Sequence, residues 1–211
     1  MKQLDLQTIL FVFFFFSCTG WLLESIQESI IRKKIISKGF LKGPFVPCHG
    51  LGGICVYLVT YQFKETPLLV YCFGVVLCTA GEYFVAVFLD KCFKVKCWDY
   101  STYPHTKFCH YKGSICLTYS LLFGVMTMIV VYCYWDLAIK ITRMMGSYIW
   151  IANSILLVIF LTDVVYTCVK VLYAKNAGIK LKGYAVFTDL ADNAPVTYKP
   201  MHTNRVQAEF E

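Results

Sequence analysis

The sequence predicts an all-α integral membrane protein, a bundle of about five transmembrane helices, and three observations lead to that prediction. Of the 211 residues, 58% are hydrophobic and 16% are charged, whereas soluble domains carry roughly 25% charged residues. The mean hydropathy is +0.58. Apolar windows recur along most of the chain, and a helix needs ~20 such residues to cross a bilayer. We therefore expect a multi-pass protein of the cell membrane.

The apolar windows divide the chain into a membrane domain and a tail. We expect transmembrane helices at about 8–31, 49–63, 67–89, 114–135 and 148–172. The second is the shortest, so it tilts, thins the bilayer locally or enters without spanning. The first is too long for a signal peptide and has no cleavage site behind it, so we expect it to be permanent. Residues 1–173 then form the transmembrane domain, and the polar residues 174–211 form a partly disordered cytoplasmic tail.

Basic residues are distributed unevenly between the two sides that five spans create. With the amino terminus outside, the loops that begin at Arg32 and Asp90 and the tail hold sixteen lysines and arginines, against four in the outer segments. Such an excess marks the cytoplasmic side, so the sequence predicts an N-out, C-in topology. In a membrane protein, the net charge of +7 indicates membrane lipids as partners and gives no reason to expect nucleic acid.

The 11 cysteines do not predict a disulfide framework. Seven lie in the apolar windows, and four lie in segments expected at the cytoplasmic face, where thiols stay reduced. Cys48, His49, Cys97, Cys109 and His110 combine ligand-type side chains, but their spacing matches no zinc pattern. We therefore expect no metal and no cofactor.

Three carboxylates lie inside the predicted spans, at Glu24, Glu82 and Asp163. Counting 1.5 Å per residue to the next basic side chain places each ~10–13 Å from the cytoplasmic end of its helix, within a hydrocarbon core ~30 Å thick. A charged side chain at the centre of the bilayer costs about 2.5–3.5 kcal/mol on insertion scales. The matched depth predicts a shared pocket, open to the cytoplasm, that binds a substrate or an ion. The alternative is that each carboxylate is structural, and the occupant of the pocket stays open between a proton, a cation and the cationic part of a substrate.

The two cytoplasmic loops contribute the remaining candidate residues. The first reads "GFLKGPFVPCHG", which is broken by glycine and proline yet apolar, as in a re-entrant or interfacial turn. Its structural positions are Gly39, Gly43, Pro44, Pro47 and Gly50. His49 is expected near the level of the acids. The second loop carries interfacial aromatic residues, and we include its Trp98 and Asp99 with His49 among the candidate binding residues.

Several short motifs occur in a fixed order over roughly residues 17–125: "GWLLESI", "GFLKGPFVPCHGLGG", "EYF", and "WDYS" followed by "GSICL". On these motifs the chain resembles the CmpB-type family of ABC-transporter permeases. His49 stands where that family usually has a tyrosine, and Ser114 where it usually has an arginine. The resemblance implies a permease that needs a separate ATPase subunit, because the chain has no GxxxxGK[ST] phosphate loop. It also implies a homodimer, because five helices are few for a translocation pathway.

The sequence leaves three functions open. The first is a transport protein, a permease subunit with an acidic pocket that faces the cytoplasm. The second is a membrane-embedded enzyme that acts on a lipid headgroup, with Glu24, Glu82, His49 and Asp99 as acid–base groups. The third is a non-catalytic accessory or regulatory protein. No serine or cysteine nucleophile has an evident base partner in the sequence, so we name no catalytic residue.

Overall fold

Helices dominate the computed structural model, which describes residues 5–33, 35–93, 98–102, 106, 109–176 and 188–189. The α-helices are α1 Leu6–Arg32, α2 Pro47–Thr60, α3 Pro67–Phe93, α4 Leu117–Ile129, α5 Trp135–Met145 and α6 Ile149–Asn176. The strands are β1 Ile36–Ser37, β2 His110–Tyr111, β3 Ile115–Cys116 and β4 Thr188–Asp189. Each strand has two residues, so the prediction of a helical protein is confirmed.

Three segments of the described residues are long and apolar enough to cross a membrane: Leu6–Ile31, Pro67–Phe93 and Leu117–Tyr173. The third has 57 residues and would be ~86 Å long as one helix, nearly three times the thickness of a hydrocarbon core. It is interrupted at Gly146, whose φ is 51°, so α6 follows as a separate helix. Helix α2 has 14 residues and is about 21 Å long. The number of crossings stays a prediction.

The fourth predicted helix begins and ends later than the apolar window 114–135. Its first residue is Leu117, which leaves Cys116 in a β-hairpin. A π-helical turn at Val130–Tyr134 then leads directly into α5, which continues to Met145. Helix α5 is amphipathic, since Trp135, Ala138 and Thr142 are buried at helical spacing while the polar residues between them are exposed. The helix therefore outlasts its apolar stretch by packing one face on the bundle.

The two larger buried hydrophobic clusters join the helices. One joins α1, α2, α3 and α5 through Val12, Phe16, Tyr57, Val70, Val131, Trp135 and Ala138. The other surrounds Phe14 of α1 and contains Leu41 and Phe45 from the first loop. Phe45 is 2% exposed and packs edge-on against Phe160 of α6. The buried Phe45 side chain therefore holds the apolar first loop against α1 and α6.

Polar contacts identify the two ends of the bundle. At one end, Tyr132 donates a hydrogen bond to the carbonyl of Lys64 over 2.7 Å, and Asn153 donates to the carbonyl of Gln7 over 2.9 Å. The first loop and the hairpin β2–β3 lie at the other end. There β4 pairs antiparallel with β1, so this part of the predicted tail contacts the first loop. The other tail residues, from 177 onward, lie outside the described part of the chain.

Candidate functional site

The turn that begins α2 places His49 against α1. Pro44 is the centre of a γ-turn in which the Phe45 amide donates to the Gly43 carbonyl over 2.9 Å. The Val46 amide then donates to the Ser17 carbonyl of α1 over 3.1 Å, and Pro47 occupies the first turn of α2, where its missing N–H is tolerated. His49 follows in the same turn of the helix.

Glycine residues make this contact between α1 and α2 possible. A Cβ at Gly20 would lie 2.5 Å from Cγ of His49, and a Cβ at Gly50 would collide with the hydroxyl of Ser17. Real Cβ atoms do not approach so closely, so the imidazole can lie on α1 because residue 20 has no side chain. Glu24 comes one turn later on the same face of α1.

Glu24 lies between two cationic or protonatable groups. His49 Nε2 is 3.3 Å from Glu24 Oε1, and Lys38 Nζ is 3.7 Å from Glu24 Oε2. The same Nζ lies 3.8 Å from Oε2 of Glu28, whose side chain is 2% exposed. Glu24 and Glu28 are four residues apart, so one ammonium group bridges two successive turns of α1.

Three hydrogen bonds fix the segment that delivers Lys38. The Ile36 amide donates to Ser29 Oγ over 2.9 Å, and the Lys38 amide donates to Ser25 Oγ over 3.0 Å. Trp21 Nε1 donates to Ser37 Oγ over 3.0 Å. The chain from Ile36 to Lys38 therefore lies along α1, and the Lys38 side chain is directed to the two carboxylates.

Glu82 of α3 belongs to the same polar region. Its Oε1 accepts a hydrogen bond of 2.5 Å from the hydroxyl of Tyr100. Its Oε2 is buried and has no hydrogen-bond partner within the described part of the chain. Glu82 also interacts electrostatically with Glu24 and with Lys38. Carboxylates from α1 and α3 thus lie close enough to influence each other.

Tyr100 is held in place by the segment that follows α3. Its amide donates to the Gly113 carbonyl over 3.0 Å, and its ring stacks on Tyr119 of α4 with centroids 4.7 Å apart. Burial, followed by the charge of Glu82, raises the pKa of the Tyr100 phenol. The hydroxyl therefore stays protonated at neutral pH and donates to Glu82.

We call Glu24, Glu28, Lys38, His49, Glu82 and Tyr100 the acidic cluster. The cluster contains three carboxylates, and the Lys38 ammonium group lies 3.7 Å from Glu24 and 3.8 Å from Glu28. Such a group of side chains can bind a cation or exchange a proton. Among the residues that the structure describes, no set of three or more histidine, cysteine or acidic side chains has the geometry of a metal site.

Comparison with protein families assigns the chain. The family model described as "Putative ABC-transporter type IV", the CmpB family, matches residues 11–168, which is 158 of the 211 residues. The chain belongs to the CmpB family. The resemblance noted from the motifs is therefore confirmed, and a membrane protein of the transporter type is the coarse description that follows. Searches of curated proteins and of solved structures gave no match.

Several residues by which the chain resembles the CmpB family lie in or beside the acidic cluster. Glu24, Glu82 and Tyr100 are members of it, and Trp21 fixes the strand before Lys38. Trp98 packs against the buried cluster of Tyr100 and Cys116, and its Nε1 donates to the Ser114 carbonyl over 2.8 Å. The family motifs thus converge at one end of the bundle although they are far apart in sequence.

Asp163 has different partners from the other two membrane carboxylates. Its Oδ1 accepts from the Lys42 amide over 3.1 Å, and its Oδ2 accepts from the Gly43 amide over 2.8 Å. Thr167 donates to Oδ1 over 3.3 Å. A Cβ at Gly43 would lie 2.8 Å from Oδ2. The motif "KGPF" therefore has glycine at the position where Asp163 of α6 binds the loop backbone. A binding role for Asp163 stays a prediction.

Asp99 organises its own turn. Its Oδ1 accepts from the Ser101 amide over 3.0 Å and from the Ser101 hydroxyl over 2.6 Å. In the first loop, Gly39 has a φ of 139°, a backbone conformation that residues with a side chain rarely adopt. Both positions shape the loops of this CmpB protein, and a direct contact of Asp99 with a ligand stays a prediction.

Sequence reasoning missed three members of the acidic cluster as site residues. Glu28 could have been found, because it lies four residues after Glu24 on the same helical face. Tyr100 lies in the "WDYS" motif, but an aromatic residue in such a loop is typical of an interfacial anchor and does not by itself indicate a binding site. Lys38 was counted among the basic residues of a cytoplasmic loop, and nothing in the sequence indicates that its side chain folds back onto α1.

Proposed function

We propose that this CmpB protein is the membrane-embedded permease subunit of a transporter, and that the acidic cluster binds a cation or the cationic group of a substrate from the cytoplasm. The observation that carries the proposal is the position of Glu24. It lies within ion-pair distance of His49 and Lys38 and interacts electrostatically with Glu82 of another helix.

The geometry of Lys38 favours a displaceable cation over a permanent ion pair. Its distances of 3.7 and 3.8 Å to Glu24 and Glu28 exceed the ~2.7–2.9 Å of a strong charge-assisted hydrogen bond. The Lys38 backbone is held by Ser25, but its ammonium group stands on a flexible four-carbon side chain that can rotate away. Lys38 therefore acts as an internal cation that an incoming ligand replaces, and Glu82 Oε2 offers a further acceptor.

The proposed arrangement in the membrane follows the sequence prediction. Residues 1–173 form the transmembrane domain with five crossings, N-out and C-in, and residues 174–211 form the cytoplasmic tail. The energy comes from a separate ATPase subunit, which docks on the cytoplasmic face where the two basic loops lie. Two copies of the chain form the translocation pathway. Co-purification from native membranes in a mild detergent tests these partners, and the absence of any ATPase would contradict the permease assignment.

Cation binding is tested with the purified full-length chain. The probes are sodium, potassium, choline and spermidine chlorides, and the readout is the thermal unfolding midpoint at constant ionic strength. A ligand that binds the folded state stabilises it by about 2.7 kcal/mol at one hundred times its Kd. We expect at least one probe to raise the midpoint in the wild type, and Glu24→Gln to abolish that rise.

Glu65→Gln is the matched control, because Glu65 follows α2 at the opposite end of the bundle and should leave the rise unchanged. The same rise in Glu24→Gln as in the wild type, or no rise with any of the four probes, would contradict cation binding at this site.

One contact supports a second candidate function, a membrane-embedded enzyme that cleaves an ester in a lipid headgroup. Cys48 Sγ lies 3.6 Å from His49 Nδ1, while His49 Nε2 faces Glu24. A thiol, an imidazole and a carboxylate in this order can form an activated nucleophile. Cys48 is exposed and lies in the first turn of α2.

Two cysteine variants separate this function from transport. Purified wild type would convert phospholipid without an ATPase, and Cys48→Ser would lose that conversion. Cys55→Ser, about two helical turns further along α2, would keep it. No conversion by the wild type would exclude the enzyme. A loss in both variants would exclude Cys48 as the specific nucleophile.

A further inference from the structure

Two thiols meet at the hairpin that precedes α4, outside the acidic cluster. Cys109 Sγ and Cys116 Sγ are 3.2 Å apart. Cys116 lies in β3 opposite His110 of β2, and the Leu117 amide donates to the Cys109 carbonyl over 3.0 Å. The backbone of the hairpin therefore holds the two sulfur atoms side by side.

The two cysteines differ in accessibility and in acidity. Cys109 is half-buried, and its Sγ lies 3.5 Å from the hydroxyl of Thr118 in the first turn of α4. Hydrogen bonding from Thr118, and then from Cys116, lowers the pKa of the Cys109 thiol. Cys116 is 1% exposed, and burial raises the pKa of its thiol. One sulfur is thus suited to attack a reagent from solution and the other to react only with its neighbour.

We propose that Cys109 and Cys116 form a reversible thiol modification site, in which a peroxide oxidises the pair to a disulfide. The Cys109 thiolate attacks one oxygen of hydrogen peroxide, the O–O bond breaks, and the leaving hydroxide takes up a proton to give water. The Cys116 sulfur then attacks the Cys109 sulfenic acid, the S–O bond breaks, and a second water leaves. Two thiols and one peroxide become one disulfide and two waters, so the sulfur pair loses the two electrons that the peroxide gains.

The position of the pair links the modification to the acidic cluster. Cys116 and Tyr100 belong to one buried cluster, against which Trp98, Cys109 and Tyr119 pack. The Gly113 carbonyl of the hairpin also accepts a hydrogen bond from the Tyr100 amide. A disulfide would close this hairpin covalently next to Tyr100, which packs on it and donates to Glu82. Because the segment is predicted to face the cytoplasm, where thiols are normally reduced, the disulfide would form under oxidative conditions and be reversed by dithiol reductants.

Peptide mapping of the full-length chain in detergent tests the proposal directly. The reduced protein is treated with hydrogen peroxide, remaining thiols are blocked with N-ethylmaleimide, and the denatured protein is digested with trypsin. Cleavage after Lys107, Lys112 and Lys140 places Cys109 on peptide 108–112 and Cys116 on peptide 113–140. We expect the two peptides to be joined by a bond that dithiothreitol breaks. We also expect each to be alkylated separately without peroxide.

Cysteine variants identify the bond and provide the control. Peptide 113–140 also contains Cys133, so Cys133→Ser must retain the joined peptides while Cys116→Ser and Cys109→Ser must lose them. Alkylation of both thiols after peroxide treatment would overturn the proposal. Oxidation of Cys109 to sulfinic acid without joining, or a bond from Cys109 to any cysteine other than Cys116, would also overturn it.

Discussion

At the scale of single residues, two glycines make room for the polar side chains at this end of the bundle. His49 reaches Glu24 because Gly20 leaves room for its ring. Asp163 reaches the first loop because Gly43 leaves its carboxylate room beside two backbone amides. Both glycines act by allowing a polar group of another element to approach closely.

The contact at Gly20 gives the first prediction. In Gly20→Ala, the new Cβ would lie 2.5 Å from His49 Cγ, so the imidazole must move away from Glu24. We expect the folded variant to lose the cation-dependent rise in its unfolding midpoint and to be about 1–3 kcal/mol less stable, as for other overpacked sites. Gly52→Ala is the control, because a Cβ there meets no atom within 4 Å. Equal midpoint rises in both variants would show that the position of His49 does not matter.

Asp163 gives the second prediction. In Asp163→Asn, the side-chain NH₂ group must replace one of two oxygens that now accept from backbone amides, so one N–H loses its acceptor. A hydrogen bond to a charged group contributes about 1.5–3 kcal/mol, and we expect the free energy of unfolding in detergent to fall by that amount. Asp136→Asn, at an exposed position of α5, should change it by less than ~0.5 kcal/mol. If both variants are equally stable, Asp163 does not hold the first loop.

At the scale of elements, apolar windows were good predictors of where helices lie and poor predictors of where they end. The window 67–89 predicted α3, which begins at the same residue and continues four residues further, to Phe93. The window 114–135 missed α5, because Asp136, Lys140 and Arg143 made the sequence polar although one face of the helix still packs on the bundle. Helix ends depend on such tertiary contacts, which a local window does not contain.

Packing between α3 and α4 gives the third prediction. A Cβ at Gly74 would collide with the side chain of Thr127 on α4, whereas a Cβ at Gly81, two turns further along α3, meets nothing within 4 Å. Close approach of backbones at small residues stabilises helix pairs in membranes. We expect Gly74→Ala to lower the free energy of unfolding by about 1–3 kcal/mol. Gly81→Ala should leave it unchanged or raise it by about 0.5–1 kcal/mol.

Chemical unfolding of the purified protein measures both substitutions under the same conditions. Equal effects at Gly74 and Gly81 would mean that α3 and α4 do not pack through Gly74, and the description of this helix pair would be wrong.

At the scale of the whole molecule, the sequence located the helices that carry Glu24 and Glu82, but not the side chains from other segments that contact these carboxylates. Equal distances from basic residues predicted a common level for Glu24 and Glu82, and the two side chains interact electrostatically. Lys38 and Tyr100 come from loops, whose path depends on hydrogen bonds to α1 and to the hairpin. No periodicity in the sequence encodes those contacts.

The orientation in the membrane gives the fourth prediction. The carbonyl of Lys64 contacts Tyr132 at one end of the bundle, while Lys42 contacts Asp163 at the other end. The sixteen-to-four distribution of basic residues favours the second end as cytoplasmic. Reporter fusions after Lys42, after Lys112 and in the tail should therefore all read cytoplasmic. A fusion after Lys64 should read external, because α2 must carry the chain to the opposite side.

The Lys64 fusion decides between two arrangements of α2, which is about 21 Å long and shorter than a hydrocarbon core of ~30 Å. If α2 spans, the bilayer thins around it or protein covers its outer end, and Lys64 reaches the external solution. If α2 is re-entrant, Lys64 is inaccessible from outside, α3 crosses in the reverse direction, and the loop after Asp90 lies on the other side from the first loop. A cytoplasmic signal at Lys64 together with an external signal at Lys112 would therefore exclude five crossings. It would also separate the two basic loops, although the rings of Phe40 in the first loop and Phe93 at the end of α3 lie 5.1 Å apart, which needs both loops at the same end.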